Sequence, residues 1–297
     1  MRLVVTGQEG QVAKSLVERA SHHRDIEAVA IGRPVLDLQK PETVLPALAS
    51  AKPDIVISAA AYTAVDRAEA EPGLAYAINE AGAGQVAAAA AELGVPIVHL
   101  STDYVFDGQC DHPYLETHLP DPTGAYGASK LAGEMAVAQA NPCHFIIRTA
   151  WVYSPFGNNF LKTMLRLASD RSEIAVVSDQ WGNPTSALDI ADALLNAAPQ
   201  MKNGSSEACG IYHLAGRGDT SWSGFARHIF SASSALGGPS AHVRDIASAD
   251  YPTAATRPLN SRLSSAKFAQ TFGWTAPDWR HSTDLVVRRL LKDSNQC

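Results

Sequence analysis

Cysteine is scarce in this sequence: four in 297 residues, Cys110, Cys143, Cys209 and Cys297, widely spaced and without a CxxC pair. That excludes a disulfide scaffold, supplies no zinc-type spacing and fits a reducing compartment. The ten histidines make no HxH or HExxH pattern, and His22-His23 falls in a polar connection, so no metal site is expected. No run approaches the ~20 apolar residues of a membrane span. Met1-Arg2 leads directly into Leu3-Val4-Val5, too short a stretch for a signal-peptide core. A cytoplasmic protein with no membrane partner is expected. Positive charge is not in excess either: Lys+Arg 24 against Asp+Glu 30 gives a formal charge of −6, which argues against a nucleic-acid partner. An anionic ligand would have to be held locally, by helix N-termini or a few placed arginines.

What the chain does have is an ordinary globular composition, 46% hydrophobic and 18% charged, at a length that suits one large domain or two smaller ones. Short β-branched runs alternate with longer Ala- and Leu-rich stretches, the pattern of β-α units around a buried parallel sheet. Strands are expected at Arg2–Val5, Ile26–Ile31, Asp54–Ser58, Pro96–Leu100 and His144–Arg148, and helices at Gln11–Ala20, Pro41–Ala49, Ala75–Leu93 and Ser129–Ala140. The alanine run inside Gln85–Glu92 reads as a helix lying close on a sheet. The fold class is therefore α/β, a doubly wound Rossmann-type parallel sheet with a smaller C-terminal α/β domain. Regularity weakens after Val152, with breakers at Ser154-Pro155-Phe156-Gly157 and Gly/Ser-rich segments at 203–206 and 231–240. A dinucleotide-binding domain is expected over 1–150, rejoined by a helix and strand at about 185–215, with a substrate domain from 151–184 and 216–297.

The first strand runs into Thr6-Gly7-Gln8-Glu9-Gly10-Gln11-Val12-Ala13, a G-x-x-G-x-x-A turn that opens a helix. Its glycines let backbone approach a pyrophosphate, and the helix start offers free N–H groups. Gly7, Gly10, Gln11 and Val12 are the candidate cofactor contacts there. The second strand ends at Ile31-Gly32-Arg33, without the carboxylate that would accept from a ribose 2′-hydroxyl. Arg33 instead suits a 2′-phosphate, which tilts the reading toward NADPH.

Tyr126 and Lys130 stand four apart and share one face of a helix. An ammonium ~4 Å from a phenol, at an effective dielectric near ~20, contributes ~4 kcal/mol, enough to bring a phenol near ~10 down by up to ~3 units. The pair alone proves little, but Ser101-Thr102-Asp103-Tyr104 lies upstream at the C-terminal end of an expected parallel strand, where open α/β sheets bind ligands.

Together, Gly7-x-x-Gly10-x-x-Ala13, Thr102 and Tyr126-x-x-x-Lys130 resemble the extended short-chain dehydrogenase/reductase family. Ser101–Gly108, Arg148–Tyr153, Gly157–Phe160, Asp179–Thr185 and Arg257–Leu263 resemble the branch of it that reduces 4-keto deoxysugar nucleotides, so the likeness spans nearly the whole chain. The resemblance implies NADPH, with NADH also usable, as hydride source and a nucleotide sugar as substrate. It implies that Tyr126 protonates the keto oxygen, that Lys130 grips the nicotinamide ribose and tunes Tyr126, and that Thr102 holds the same oxygen. Asp103 and Trp151 would contact the sugar, while Asp37, Leu38, Ala61, Tyr62 and Thr63 would line the cofactor cleft. Trp151 also has a reading as interdomain packing. Arg257 and Arg262, beside Asn260, are candidates for the diphosphate, though surface salt bridges would explain them equally well.

Three positions depart from the family pattern. Ser58 stands where Asn is common, Tyr62 where His is common, and Ser15 where relatives place a Glu that ligates magnesium at a dimer contact. A homodimer is an expectation of the resemblance; a metal-bridged one is put in doubt. Two other functions compete. A sister dehydratase needs a carboxylate where this chain has Tyr104. A binding-only regulatory subunit of the methionine adenosyltransferase type shares the fold, and the intact Thr102, Tyr126 and Lys130 favour catalysis over it. Reduction of another keto-deoxysugar nucleotide is the nearer alternative.

Overall fold

The computed structural model describes residues 1–203 and 208–294. Of the Ser-rich segment at 203–206, residues 204–206 lie outside the described residues, as does Cys297. The first half runs β1 (Arg2–Thr6), α1 (Gln11–Ala20), β2 (Glu27–Ile31), α2 (Val44–Ala51), β3 (Ile55–Ser58), α3 (Val65–Ala70), α4 (Pro72–Tyr76), α5 (Ala83–Glu92), β4 (Ile97–Thr102), α6 (Ala125–Ala140) and β5 (His144–Thr149). The second runs β6 (Val152–Tyr153), α7 (Phe160–Ala168), β7 (Glu173–Val177), β8 (Trp181–Gly182), β9 (Thr185–Ser186), α8 (Ala187–Asn203), β10 (Gly210–His213), β11 (Thr220–Ser221), α9 (Trp222–Ser234), β12 (His242–Ile246), α10 (Ala266–Phe272) and α11 (Trp279–Ser294).

Six strands form one parallel sheet in the order β10-β5-β4-β3-β1-β2. Period-2 alternation sends Leu3, Val5, Ile55, Ile57, Phe145 and Ile147 to one face, where they meet α1, α8 and α10. Val4, Val56, Ile97 and Ile146 go to the other, against α2, α5 and α6. Both faces are covered, which is why the strands read as continuous apolar runs. Truncating a fully buried ring such as Phe145 to alanine should cost ~3–5 kcal/mol. The alanines of α5 let it approach α6 closely: a Cβ on Gly84 would meet the Cβ of Ala136 at 3.2 Å.

Several expected boundaries shift. The helix expected over Ala75–Leu93 is α4 and α5 joined by a π-helical turn, Ala77–Gly82. Gly82 sits there because a Cβ would lie 2.7 Å from that of Leu38. The helix expected from Ser129 begins at Ala125, so Tyr126 and Lys130 both lie within it. Thr185 belongs to a short strand pairing with β6 rather than to α8. Cysteines far apart in sequence meet at the N-terminal ends of β5 and β10, with Cys209 Sγ 3.6 Å from Cys143 Sγ.

The later elements bury a separate cluster, in which α7, α9 and α11 cover β7 and β12 through Leu161, Phe225, Ile229, Trp279 and Val287. Tyr153 ties into it, its hydroxyl 2.9 Å from Thr283 Oγ1. In the main sheet the strand order reverses between β1 and β3, so the loops leaving their C-terminal ends diverge and open a crevice. The site is built along that edge.

Candidate active site

The turn after β1 is shaped by two glycines. Gly7 has φ +93°, a backbone conformation that favours glycine, and lies in contact with Ala60. Gly10 caps α1 with no side-chain cap, and a Cβ on it would meet open space, so the first N–H groups of α1 face an unobstructed approach. This geometry fits a dinucleotide pyrophosphate. The Gln11 side chain turns elsewhere: its Oε1 accepts from Ser154 Oγ at 2.8 Å and Asn159 Nδ2 at 2.9 Å, tying the turn to the second half of the chain. Val12 packs on the core. Arg33 is exposed and has no interaction partner among the described residues. Asp37 Oδ1 accepts from Gln39 N at 3.1 Å, and Leu38 is buried under the π-helical turn.

The loop after β3 is fixed from both sides. Thr6 Oγ1 accepts from the backbone N–H groups of Ala59 and Ala60 at 3.1 and 3.0 Å. Buried Asn79 accepts from Tyr62 N at 2.8 Å and donates to Tyr62 O at 3.1 Å and Ser129 Oγ at 3.0 Å. The wall made by Ala61, Tyr62 and Thr63 is thereby locked to α6. The Tyr62 hydroxyl itself donates to Glu71 at 2.9 Å. Sequence reasoning missed Asn79; its signal is a lone Asn in an alanine-rich helical stretch.

At the end of β4, Thr102 Oγ1 donates to Asp103 Oδ1 at 2.9 Å, and its hydroxyl is the one neighbour among the described residues that favours the ionised Tyr126 phenol. Asp103 is buried, its Oδ2 has no hydrogen-bond donor among the described residues, and burial, only partly opposed by the Thr102 hydrogen bond, pushes its carboxyl up to about 7. Tyr104 packs edge-on against Tyr126, with centroids 5.6 Å apart. Lys130 Nζ donates to Leu100 O at 2.6 Å and sits 3.3 Å from His99 Nε2. His99 Nδ1 is 3.1 Å from Ser58 Oγ. Burial, then the Lys130 charge, hold His99 well below the ordinary histidine range. The imidazole is therefore neutral, with Nδ1–H toward Ser58 and Nε2 free to accept from Lys130. Burial lowers Lys130 to about 8.

One expectation fails here. The Tyr126 phenol is pushed up, not down: burial dominates, Asp103 and Tyr104 add to it, and the Thr102 hydroxyl only partly opposes it. Lys130 does not act on it, because its ammonium is turned to the β4 backbone and His99. Tyr126 is held protonated, the form that can donate a proton.

Under this cluster runs a buried ion pair that the sequence did not announce. Arg148 clasps Glu134 with Nε at 2.9 Å and Nη2 at 2.6 Å, and Ser101 Oγ donates to the same carboxylate at 2.5 Å. It fixes β4, β5 and α6 to one another one turn beyond Lys130.

Trp151 follows β5 with φ +47°, a strained conformation for a bulky side chain. Its indole stacks on Trp222 at 3.6 Å between centroids and donates to Ser261 Oγ at 3.1 Å, so the packing role is present. The two arginines are not free forks. Arg257 Nη2 pairs with Asp66 at 2.7 Å, leaving Nη1 buried without a partner, and Arg262 is held by Asn260, Asp219 and Asp111 O. Ser15 lies fully buried in α1 rather than at a surface. Among the described residues no helix is long and apolar enough to cross a membrane.

Residues 1–292 match the family model described as the RmlD substrate binding domain. A dTDP-4-dehydrorhamnose reductase of Sinorhizobium fredii is 50% identical over 292 residues, covering 98% of each chain. A crystal structure of such a reductase from Clostridium acetobutylicum superposes with a TM-score of 0.90 at 35% identity, covering 98% of this chain and all of the other. Another, from Bacillus anthracis in complex with NADP, gives 0.87 at 35% identity, covering 97% and 99%.

Proposed function

Since the chain belongs to the RmlD substrate-binding-domain family, we propose that it is an NADPH-dependent oxidoreductase that reduces the 4-keto group of dTDP-4-dehydro-6-deoxy-L-mannose to give dTDP-L-rhamnose. The observation that carries this reading is the convergence of Thr102, Tyr126 and Lys130 at the C-terminal end of β4, beside the uncapped start of α1. A binding-only subunit has no need of that convergence.

Bound NADPH supplies the hydride. Gly7 and Gly10 admit its pyrophosphate to the N–H groups of α1, Arg33 meets the 2′-phosphate, and Asp37, Leu38, Ala61, Tyr62 and Thr63 form the walls beside it. Lys130, braced by Leu100 O and His99, has a remaining N–H for the nicotinamide ribose. Thr102 and Tyr126 hold the 4-keto oxygen between them, and the protonated phenol transfers its proton to that oxygen as it becomes an alkoxide. Asp103 and Trp151 position the sugar ring. Residues 1–150 with 185–215 would carry the cofactor, and 151–184 with 216–297 the nucleotide sugar. Arg257, whose Nη1 has no hydrogen-bond partner among the described residues, is the better placed of the two arginines for the diphosphate.

The test is loss of nicotinamide absorbance on adding dTDP-4-dehydrorhamnose to purified protein and NADPH, with the product identified by mass and sugar NMR. Formation of dTDP-L-rhamnose supports the reading. Cofactor binding without oxidation of this substrate, but with turnover of a different 4-keto sugar nucleotide, would reassign the substrate.

A further inference from the structure

The connection between β4 and α6 carries three side chains that the proposed chemistry does not use: His112, His118 and Cys110, which packs at the edge of a small apolar cluster around Phe106 and Tyr114. Their spacing matches no common ligand motif, yet the fold brings one donor atom from each within 4.8 Å of the others. Cys110 Sγ lies 3.2 Å from His112 Nδ1, and the two imidazole centroids are 5.4 Å apart.

The loop that presents them is pinned at several points. Asn260 Nδ2 donates to Cys110 O at 2.7 Å and His112 O at 2.9 Å, Arg262 Nη2 donates to Asp111 O at 2.6 Å, and Cys110 N donates to the Tyr114 hydroxyl at 3.2 Å. His118 stands edge-on to the buried ring of Tyr114, with centroids 5.6 Å apart. The three side chains are thus displayed on a fixed backbone.

A tetrahedral zinc-type ion, with S at ~2.3 Å and N at ~2.0–2.1 Å, places its donor atoms roughly 3.3–3.6 Å apart. The donor atoms seen here, within 4.8 Å of one another, would draw together by about an ångström to reach that spacing. We propose that Cys110, His112 and His118 form a binding site for a thiophilic divalent cation of the zinc class, with its fourth position open to water. Asp111 Oδ1, 2.7 Å from His112 Nδ1, holds that nitrogen's proton and so presents Nε2 to the ion, the usual carboxylate–imidazole arrangement behind a metal. His118 Nδ1 accepts from Leu115 N at 2.7 Å, so it is the nitrogen with the lone pair. It exchanges that donor for the ion, and water takes over the N–H of exposed Leu115.

Binding converts the Cys110 thiol to a metal thiolate and releases one proton to the buffer, with no change of oxidation state. The ion would fasten the 110–118 loop where it meets the 260–262 segment.

The test is titration of the full-length, tag-free protein with Co(II) and then Zn(II). The expected result is one equivalent of Co(II) with a thiolate-to-cobalt charge-transfer band, displaced by Zn(II) with release of one proton and a rise in Tm. Cys110→Ser removes the band, His112→Ala and His118→Ala each weaken binding by more than ~10-fold, and Asp111→Asn weakens it by ~10-fold. Cys143→Ser, which disrupts the other thiol pair, leaves the band unchanged. Absence of uptake, or a band that survives Cys110→Ser and disappears with Cys143→Ser, overturns the proposal.

Discussion

The ammonium of Lys130 rests against the unprotonated Nε2 of His99, 3.3 Å away, while the far side of the same imidazole faces Ser58. Buried polar atoms of two strands, β3 and β4, thus converge on the one lysine that the proposed chemistry requires. His99 is a positioning residue, and its neutrality is what makes it an acceptor.

This relationship sets the alkaline limb of activity. Lys130 must be charged to keep a third N–H for the ribose beside those given to Leu100 O and His99, and burial lowers it to about 8, so activity is full below that value and falls as pH rises through it. His99→Leu removes an acceptor for the ammonium, disfavours the charged form further and moves the limb to lower pH. A pH–rate profile checks this, and an unmoved limb would leave His99 as mere packing.

Asp103 gives a stability signature of the opposite kind. Its folded value, about 7, lies above the usual 3.8, so between those values the folded state binds a proton that the unfolded chain does not. The contribution of this group is full below pH ~4 and is lost as pH rises toward ~7, an effect of roughly 2–4 kcal/mol. Asp103→Asn should flatten that slope and melt higher than wild type at pH 8. Parallel curves of Tm against pH for the two proteins would contradict the assignment.

The Glu134–Arg148 pair should behave as a buried unit. Glu134→Ala strands a guanidinium that is 2% exposed and should cost ~3–5 kcal/mol. The paired replacement Glu134→Leu with Arg148→Met should recover most of that loss in a denaturant titration. Additive losses in the double variant would show that the two side chains act independently.

Arg33, exposed and without a partner among the described residues, is available to a 2′-phosphate. Arg33→Ala should weaken NADPH ~10-fold, as expected for one charge-assisted contact, and leave NADH within about twofold. Equal loss for both cofactors, by fluorescence titration, would make Arg33 a bystander.

The sequence carried what is local. The apolar runs of β1, β3, β4 and β5 advertise a sheet buried on both faces, Gly7 and Gly10 mark the turn, and the four-residue spacing of Tyr126 and Lys130 marks one helix face. What it hid is non-local. Neither the separation of 31 positions from His99 to Lys130 nor that of 14 from Glu134 to Arg148 forms a pattern, and only the tertiary fold brings those groups together. The glycine at 82 in the π-helical turn answers to the close approach of Leu38, far away in sequence. The expectation that Lys130 lowers the Tyr126 phenol went wrong because helical spacing fixes a shared face, not where an ammonium finds its acceptors.

The central claim is that protonated Tyr126 delivers a proton to the substrate oxygen, and single-turnover reduction by Tyr126→Phe tests it most directly. The account predicts a rate lower by ~10²–10⁴ with NADPH affinity nearly unchanged, because the ring and its packing against Tyr104 remain while the donor is gone. A rate equal to that of wild type would contradict it.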